Sequence, residues 1–180
     1  MNNPVTETSA DHDVVDRLVG LQSGSATYDL RHQRKKVVAA TQGSYDTLFD
    51  PSLAGISLNE RLLVALYACC LSGAATLAAH YRDRLTSLLP VPTELTAVET
   101  DAPDQLPDGR LRAMLLFTRA LTQRPVEGDQ AALQSLPAVG ISTPAVVVLA
   151  QLIAFISYQV RVVASLKAMQ DAAQLSEQPA

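Results

Sequence analysis

Apolar residues recur along this chain mainly at intervals of three and four, and alanine and leucine dominate. That spacing predicts an all-α protein with little strand signal. Residues 1–10 are polar and read as a disordered tail. A short helix is expected from Asp11 to Leu21, with acidic residues at its start where the dipole favours them, and Gly24-Ser25 break it. The next should run from Asp29 towards Leu48, bent near Gly43. Ser57-Leu58-Asn59-Glu60 is a capping box, followed by the apolar face of Leu62, Leu63, Leu66, Cys69 and Cys70 up to Leu71. Ser72-Gly73 then interrupts, and Ser72 is placed to cap a helix carrying Thr76, Leu77, His80, Tyr81 and Arg84 to Leu89.

Pro90 and Pro92 end that segment, and residues 92–109, with Pro103, Pro107 and Gly109, read as a long linker or lid. Leu111–Thr122 and Asp129–Leu136 are further helices. The last starts near Thr143, with Pro144 at its favoured first position, and runs to Met169. The organisation expected is a tail and short helix over 1–25, a helical domain over 26–170 and a flexible tail over 171–180. Two stretches resemble one another. Gly55-Ile56-Ser57 and Gly140-Ile141-Ser142 each precede a long apolar helix, as a faint internal helical repeat would produce.

Composition narrows the function classes. The chain has 180 residues, 48% apolar and 18% charged, enough for a core and too apolar for general disorder. A net charge of −4 disfavours a nucleic-acid binder, and 4% aromatics disfavour stacking platforms. The mean hydropathy of +0.13 leaves apolar surface to cover partner subunits. The start carries no signal-peptide pattern. Leu62–Ala79 is interrupted and flanked by charge, and Ala145–Val160 is short of the roughly 20 residues of a membrane span. Both read as buried helices of a cytoplasmic protein, with no membrane partner.

Candidate chemistry is sparse. Cys69 and Cys70 are adjacent, so they point apart on a helix, and their neighbours Leu66, Tyr67, Ala68 and Leu71 offer no positive charge to lower a thiol pKa. They are either a core pair or an unconventional redox centre. His80 lies where an apolar helix turns polar, one turn from Arg84. Glu60 on the preceding helix is its sequence-level carboxylate partner for a proton relay, though the capping box also accounts for Glu60. Arg31, His32, Arg34, Lys35 and Lys36 form the densest basic run and read as a solvated face. Three scattered histidines make no metal site, and no cofactor motif is present. In the last helix Gln151, Tyr158, Gln159 and Arg161 interrupt the apolar surface. Gln151, Tyr158 and Arg161 share one face, a polar stripe that a buried helix must partner.

The segment Leu58–Arg84 resembles the core motif of the carboxymuconolactone decarboxylase and alkylhydroperoxidase D-like (AhpD-like) superfamily. The acidic-basic pair Glu60-Arg61 opens a helix, small and apolar residues follow, and Ala78-Ala79-His80 occupies the histidine region. Ile141–Met169 is similar to the terminal helix of these proteins, and the likeness spans residues 30–170. The resemblance implies an all-helical bundle, often internally repeated, assembled as a dimer, trimer or hexamer of itself. It also implies a Cys-x-x-Cys centre in the peroxidase branch. Matching on His80 places those cysteines at Gly73 and Thr76, and matching on Glu60-Arg61 places them at Ala74 and Leu77. Neither register holds a thiol.

Tyr81 stands where the decarboxylase branch has a further histidine. The function expected is therefore a family member with a degenerate redox centre that binds a small apolar or weakly acidic molecule in a helical pocket. His80, Glu60, Cys69 and Cys70 are its candidate reactive groups, and Arg84, Tyr158 and Arg161 its candidate ligand-binding groups. The alternatives are a peroxidase using Cys69 or Cys70 with His80, or a lyase or isomerase relying on His80.

Overall fold

The computed structural model describes residues 13–88, 92–127 and 130–177. Among them run nine α-helices and no strand: α1 (Val14–Val19), α2 (Ala26–His32), α3 (Lys35–Leu48), α4 (Leu58–Leu71), α5 (Ala75–Leu88), α6 (Pro92–Glu99), α7 (Gly109–Gln123), α8 (Gln130–Ala138) and α9 (Thr143–Glu177). The protein is all-α, as the periodicity predicts. The expected tail over residues 1–10 lies outside the described residues, as do Leu89, Pro90 and Asp129.

Several boundaries move. The single helix expected from Asp29 to Leu48 is two, α2 and α3, broken at Gln33-Arg34, and α3 continues through Gly43. The segment read as a linker carries α6 and a 3-10 turn at Pro103–Gln105. Pro92 and Pro103 sit at helix starts, where a missing N–H costs nothing, and Pro107 lies just before the Asp108 cap of α7. The last helix continues past Met169 to Glu177.

The chain divides into two compact units. One comprises Met1–Tyr45 and Val162–Ala180. In it Asp13 caps α1, accepting from the backbone N–H groups of Val15 and Asp16, and Gly20 closes the helix in the left-handed region at φ 77°. Arg31 of α2 reaches back to Asp16 at 2.6 Å and to Asp13 at 3.0 Å. His32 bonds Asp16 at 2.7 Å and stacks on Tyr28. Asp16 is 2% exposed, and a carboxylate so buried needs charged partners. This corrects the basic run: Arg34, Lys35 and Lys36 are exposed, but Arg31 and His32 turn to the carboxylates of α1. The break at Gln33-Arg34 separates these two behaviours.

The other unit comprises Asp46–Arg161. Its centre is α4, in which every residue from Arg61 to Cys69 is buried. It packs against α5, α6 and α7. The Ser57–Glu60 capping box is present. At the other end of α4, Ser72 corrects its expected role. Its hydroxyl donates back to the Ala68 carbonyl at 2.7 Å, closing α4 rather than opening α5. Gly73 at φ 66° then turns the chain into α5. Past α6, Tyr67 of α4 donates to the Asp101 carboxylate, and Arg119 of α7 reaches the Tyr67 hydroxyl at 2.7 Å. Burial, with the Asp101 carboxylate, raises the Tyr67 pKa, so the phenol stays a donor.

Within this unit α9 buries Ala145, Leu149, Leu152, Ile153, Ile156 and Gln159, a stripe at helical spacing. Its 33 residues Thr143–Leu175 are also long and apolar enough to cross a membrane by length and composition, which corrects the shorter stretch expected. The buried stripe is the pattern of a helix packed on a protein core.

Candidate functional site

The two Gly-Ile-Ser segments adopt like conformations. Gly55 and Gly140 have φ of 92° and 81°, Ile56 and Ile141 are each 1% exposed, and Ser57 and Ser142 each accept from a backbone N–H three residues on. Arg110 of α7 ties the two together. Its guanidinium donates to the Gly55 carbonyl at 2.7 Å and the Gly140 carbonyl at 3.3 Å, while its Nε donates to Glu60 Oε1 at 2.7 Å. Glu60 Oε2 accepts from the backbone and hydroxyl of Ser57. Both carboxylate oxygens of Glu60 are thus committed to holding the start of α4.

Arg61 is held differently. It is fully buried, and its donors reach only main-chain carbonyls, those of Leu48, Asp50 and Ser57. Burial lowers its pKa, Asp50 and Glu60 oppose this, and Arg84 adds to it. The Arg61 side chain fixes residues 48–57 while leaving its charge without a carboxylate bonded to it.

The polar face of α5 follows. Tyr81 is fully buried, and its hydroxyl donates to Gln159 Oε1 of α9 at 2.5 Å. Phe49 packs on Tyr81 with ring centroids 5.2 Å apart, and the Arg84 guanidinium lies over Phe49 at 5.0 Å from its centroid. His80, half-buried, meets the Tyr81 ring edge-on at 5.0 Å. Gln159 is also fully buried, and its Nε2 finds no hydrogen-bond partner among the described residues. Such an orphaned donor costs about 1–3 kcal/mol.

The structure thus gathers two of the expected residues, His80 and Arg84, with three that sequence reasoning left outside the site: Phe49, Tyr81 and Gln159. One signal pointed to Gln159, a polar residue interrupting an apolar helix. The face assigned to that interruption was the other one. Gln151, Tyr158 and Arg161 are exposed on the outer face of α9, and Arg161 donates to its own helix at Ser157. They do not join Gln159, and the expected need to partner a buried stripe falls on Gln159 alone.

The cysteines sit on α4. Cys69 is fully buried, and burial pushes its thiol well up, with Cys70 adding to the shift. Cys70 is half-buried and also raised by burial. Arg82, ion-paired with Glu99, opposes that rise, a positive charge that the sequence context of Cys70 does not contain. Both thiols are therefore held as thiols at neutral pH, and the thiolate is the nucleophile.

Among the described residues no group of three or more His, Cys, Asp or Glu side chains is placed to hold a metal ion. No protein-family model matches the chain, and no curated protein matches it.

Proposed function

We propose that this protein is a member of the carboxymuconolactone decarboxylase and alkylhydroperoxidase D-like superfamily without a dithiol centre, and that it binds a small, weakly acidic molecule. The observation that carries this reading is the Arg84 guanidinium seated over Phe49, with Phe49 against Tyr81. A cation held on an aromatic shelf favours an anion that brings apolar surface. His80 stands beside it as a polar group able to bond such a ligand.

The all-α fold, the Glu60-Arg61 opening of α4 and the placement of His80 on α5 support the family reading. The same reading carries self-association and a cytoplasmic protein. The alternative of a Cys69 or Cys70 peroxidase has less support, since burial raises both thiols and the family's cysteine positions hold none. Titration with benzoate and with neutral benzamide, followed calorimetrically, tests the proposal. Benzoate is expected to bind about 10-fold or more tightly than benzamide, and Arg84→Ala to abolish that difference. Equal or absent binding of the two would overturn it.

A further inference from the structure

On the side of α9 opposite its buried stripe, Val147, Gln151, Ala154, Tyr158 and Arg161 are exposed. They follow one another at intervals of four, three, four and three, the heptad spacing of a helix that pairs along a seam. Val147 is 50% and Tyr158 39% exposed. Half-buried Val148 and Phe155 flank the row, with the Phe155 ring 6.4 Å from that of Tyr158. A surface helix ordinarily turns charged side chains to solvent. Here no charged residue lies between Thr143 and Val160, and Arg161 is the first. An 18-residue window of this helix, apolar enough to cross a membrane, is only 33% buried. The exposed face is therefore uncharged over most of its length without being packed on the core.

We infer that this face of α9 is covered by the same face of a second copy of the chain, running antiparallel. The row is complementary to itself. With the two-fold axis level with Ile156, Tyr158 stands opposite Ala154 of the second copy and Arg161 opposite its Gln151, and symmetry repeats both pairs. A large ring then meets a methyl group, and a guanidinium meets an amide oxygen. One Arg161 nitrogen donates to the Ser157 carbonyl at 2.8 Å, which leaves other donors for that bond. A parallel pair would instead set Arg161 against Arg161. In the antiparallel pair those two charges lie about 15 Å apart along the helices. Lipid is the poorer occupant, since Gln151 and Arg161 would enter hydrocarbon without partners. A two-fold contact closes as a dimer or within a hexamer, and not as a trimer alone. The inference stands on the exposure pattern of α9 and not on the ligand proposed above.

Sedimentation velocity of the full chain over a range of concentrations tests this, with Ala154→Arg and Gln151→Glu beside the wild type. The wild type is expected to associate with even stoichiometry. Ala154→Arg puts a charge into the seam and should weaken association about 10-fold or more while keeping wild-type circular dichroism. Gln151→Glu sets a carboxylate opposite Arg161 of the second copy. It should tighten association about 3-fold or more, a gain that added salt removes. In a parallel pair the same change would bring two carboxylates together and weaken association. A monomeric wild type, an odd stoichiometry, association untouched by Ala154→Arg, or failure of Gln151→Glu to tighten it each overturns the inference. Wild-type protein that floats with phosphatidylcholine vesicles, where Ala154→Arg does not, would make lipid the occupant and overturn it equally. Should Ala154→Arg fail to fold, the sign of the Gln151→Glu effect still decides. Benzoate calorimetry is a separate readout, so absence of ligand binding would remove the proposed function and leave this surface standing.

Discussion

Gly55 approaches Ala145 so closely that a Cβ built on the glycine would lie 3.1 Å from the Ala145 Cβ. Gly55 also sits at φ 92°, a region that L side chains rarely occupy. Gly140, its counterpart in the second Gly-Ile-Ser segment, has φ 81° and open space where a Cβ would be. The two positions separate backbone strain from steric overlap. Gly140→Ala is expected to cost about 1–2 kcal/mol from conformation alone. Gly55→Ala should cost about 1 kcal/mol or more beyond that, because α9 must move. Urea unfolding of the two variants checks the order, and equal losses would show that Ala145 yields freely.

Arg110 is expected to matter through both its ion pair and its carbonyl bonds. Arg110→Met should destabilise by about 1–2 kcal/mol. Glu60→Ala loses the capping box as well, adding about 1 kcal/mol. A double-mutant cycle between the two positions isolates the ion pair. Its coupling should be about 0.5–1 kcal/mol, since both side chains are partly exposed and solvent screens them.

Arg61 holds three carbonyls with one side chain, so its loss orphans several groups at once. Arg61→Met is expected to destabilise by about 3 kcal/mol or more. Arg61→Lys should recover only part of this, because an ammonium lacks the planar fork that reaches Leu48, Asp50 and Ser57 together. Chemical denaturation of both variants measures the difference. An Arg61→Lys variant as stable as the wild type would mean that charge, not geometry, is what the site uses.

The thiols give a pH dependence whose sign follows from burial. Cys69 and Cys70 hold their protons more tightly folded than unfolded. Tyr67 shifts the same way. Their contribution to stability is complete below the ordinary thiol pKa near 8.5. As pH rises above it, the unfolded chain releases protons that the folded chain retains, and stability falls. Unfolding midpoints from pH 7 to pH 10 should therefore decline. Native thiol modification at pH 8 should be slow, with Cys70 ahead of Cys69, and rapid after denaturation. Fast native reaction of either thiol would return the redox reading to consideration.

Much of the helical architecture was legible because its signals are local. The Ser57–Glu60 capping box spans four residues, and the apolar spacing of α4 and α9 repeats every turn. The splitting of α2 from α3 was not legible, since no glycine or proline marks the break at Gln33-Arg34. Nor was α6, whose Pro92 read as a breaker although proline starts helices as well as ending them. The role of Ser72 shows the same limit, because one serine can close a helix or open the next.

The sequence by itself determined the helical class, the capping of α4 and the start of α9 at Thr143-Pro144. Each rests on groups within a few residues of one another, where backbone geometry dictates which can meet. The tertiary structure alone decided that Glu60 serves Arg110, that Arg61 is buried on carbonyls and that Tyr81 meets Gln159 from 78 residues away. Those pairings depend on which helix faces pack together. A glutamine on an apolar helix reveals that it needs a partner, and only packing reveals which of its atoms is left without one.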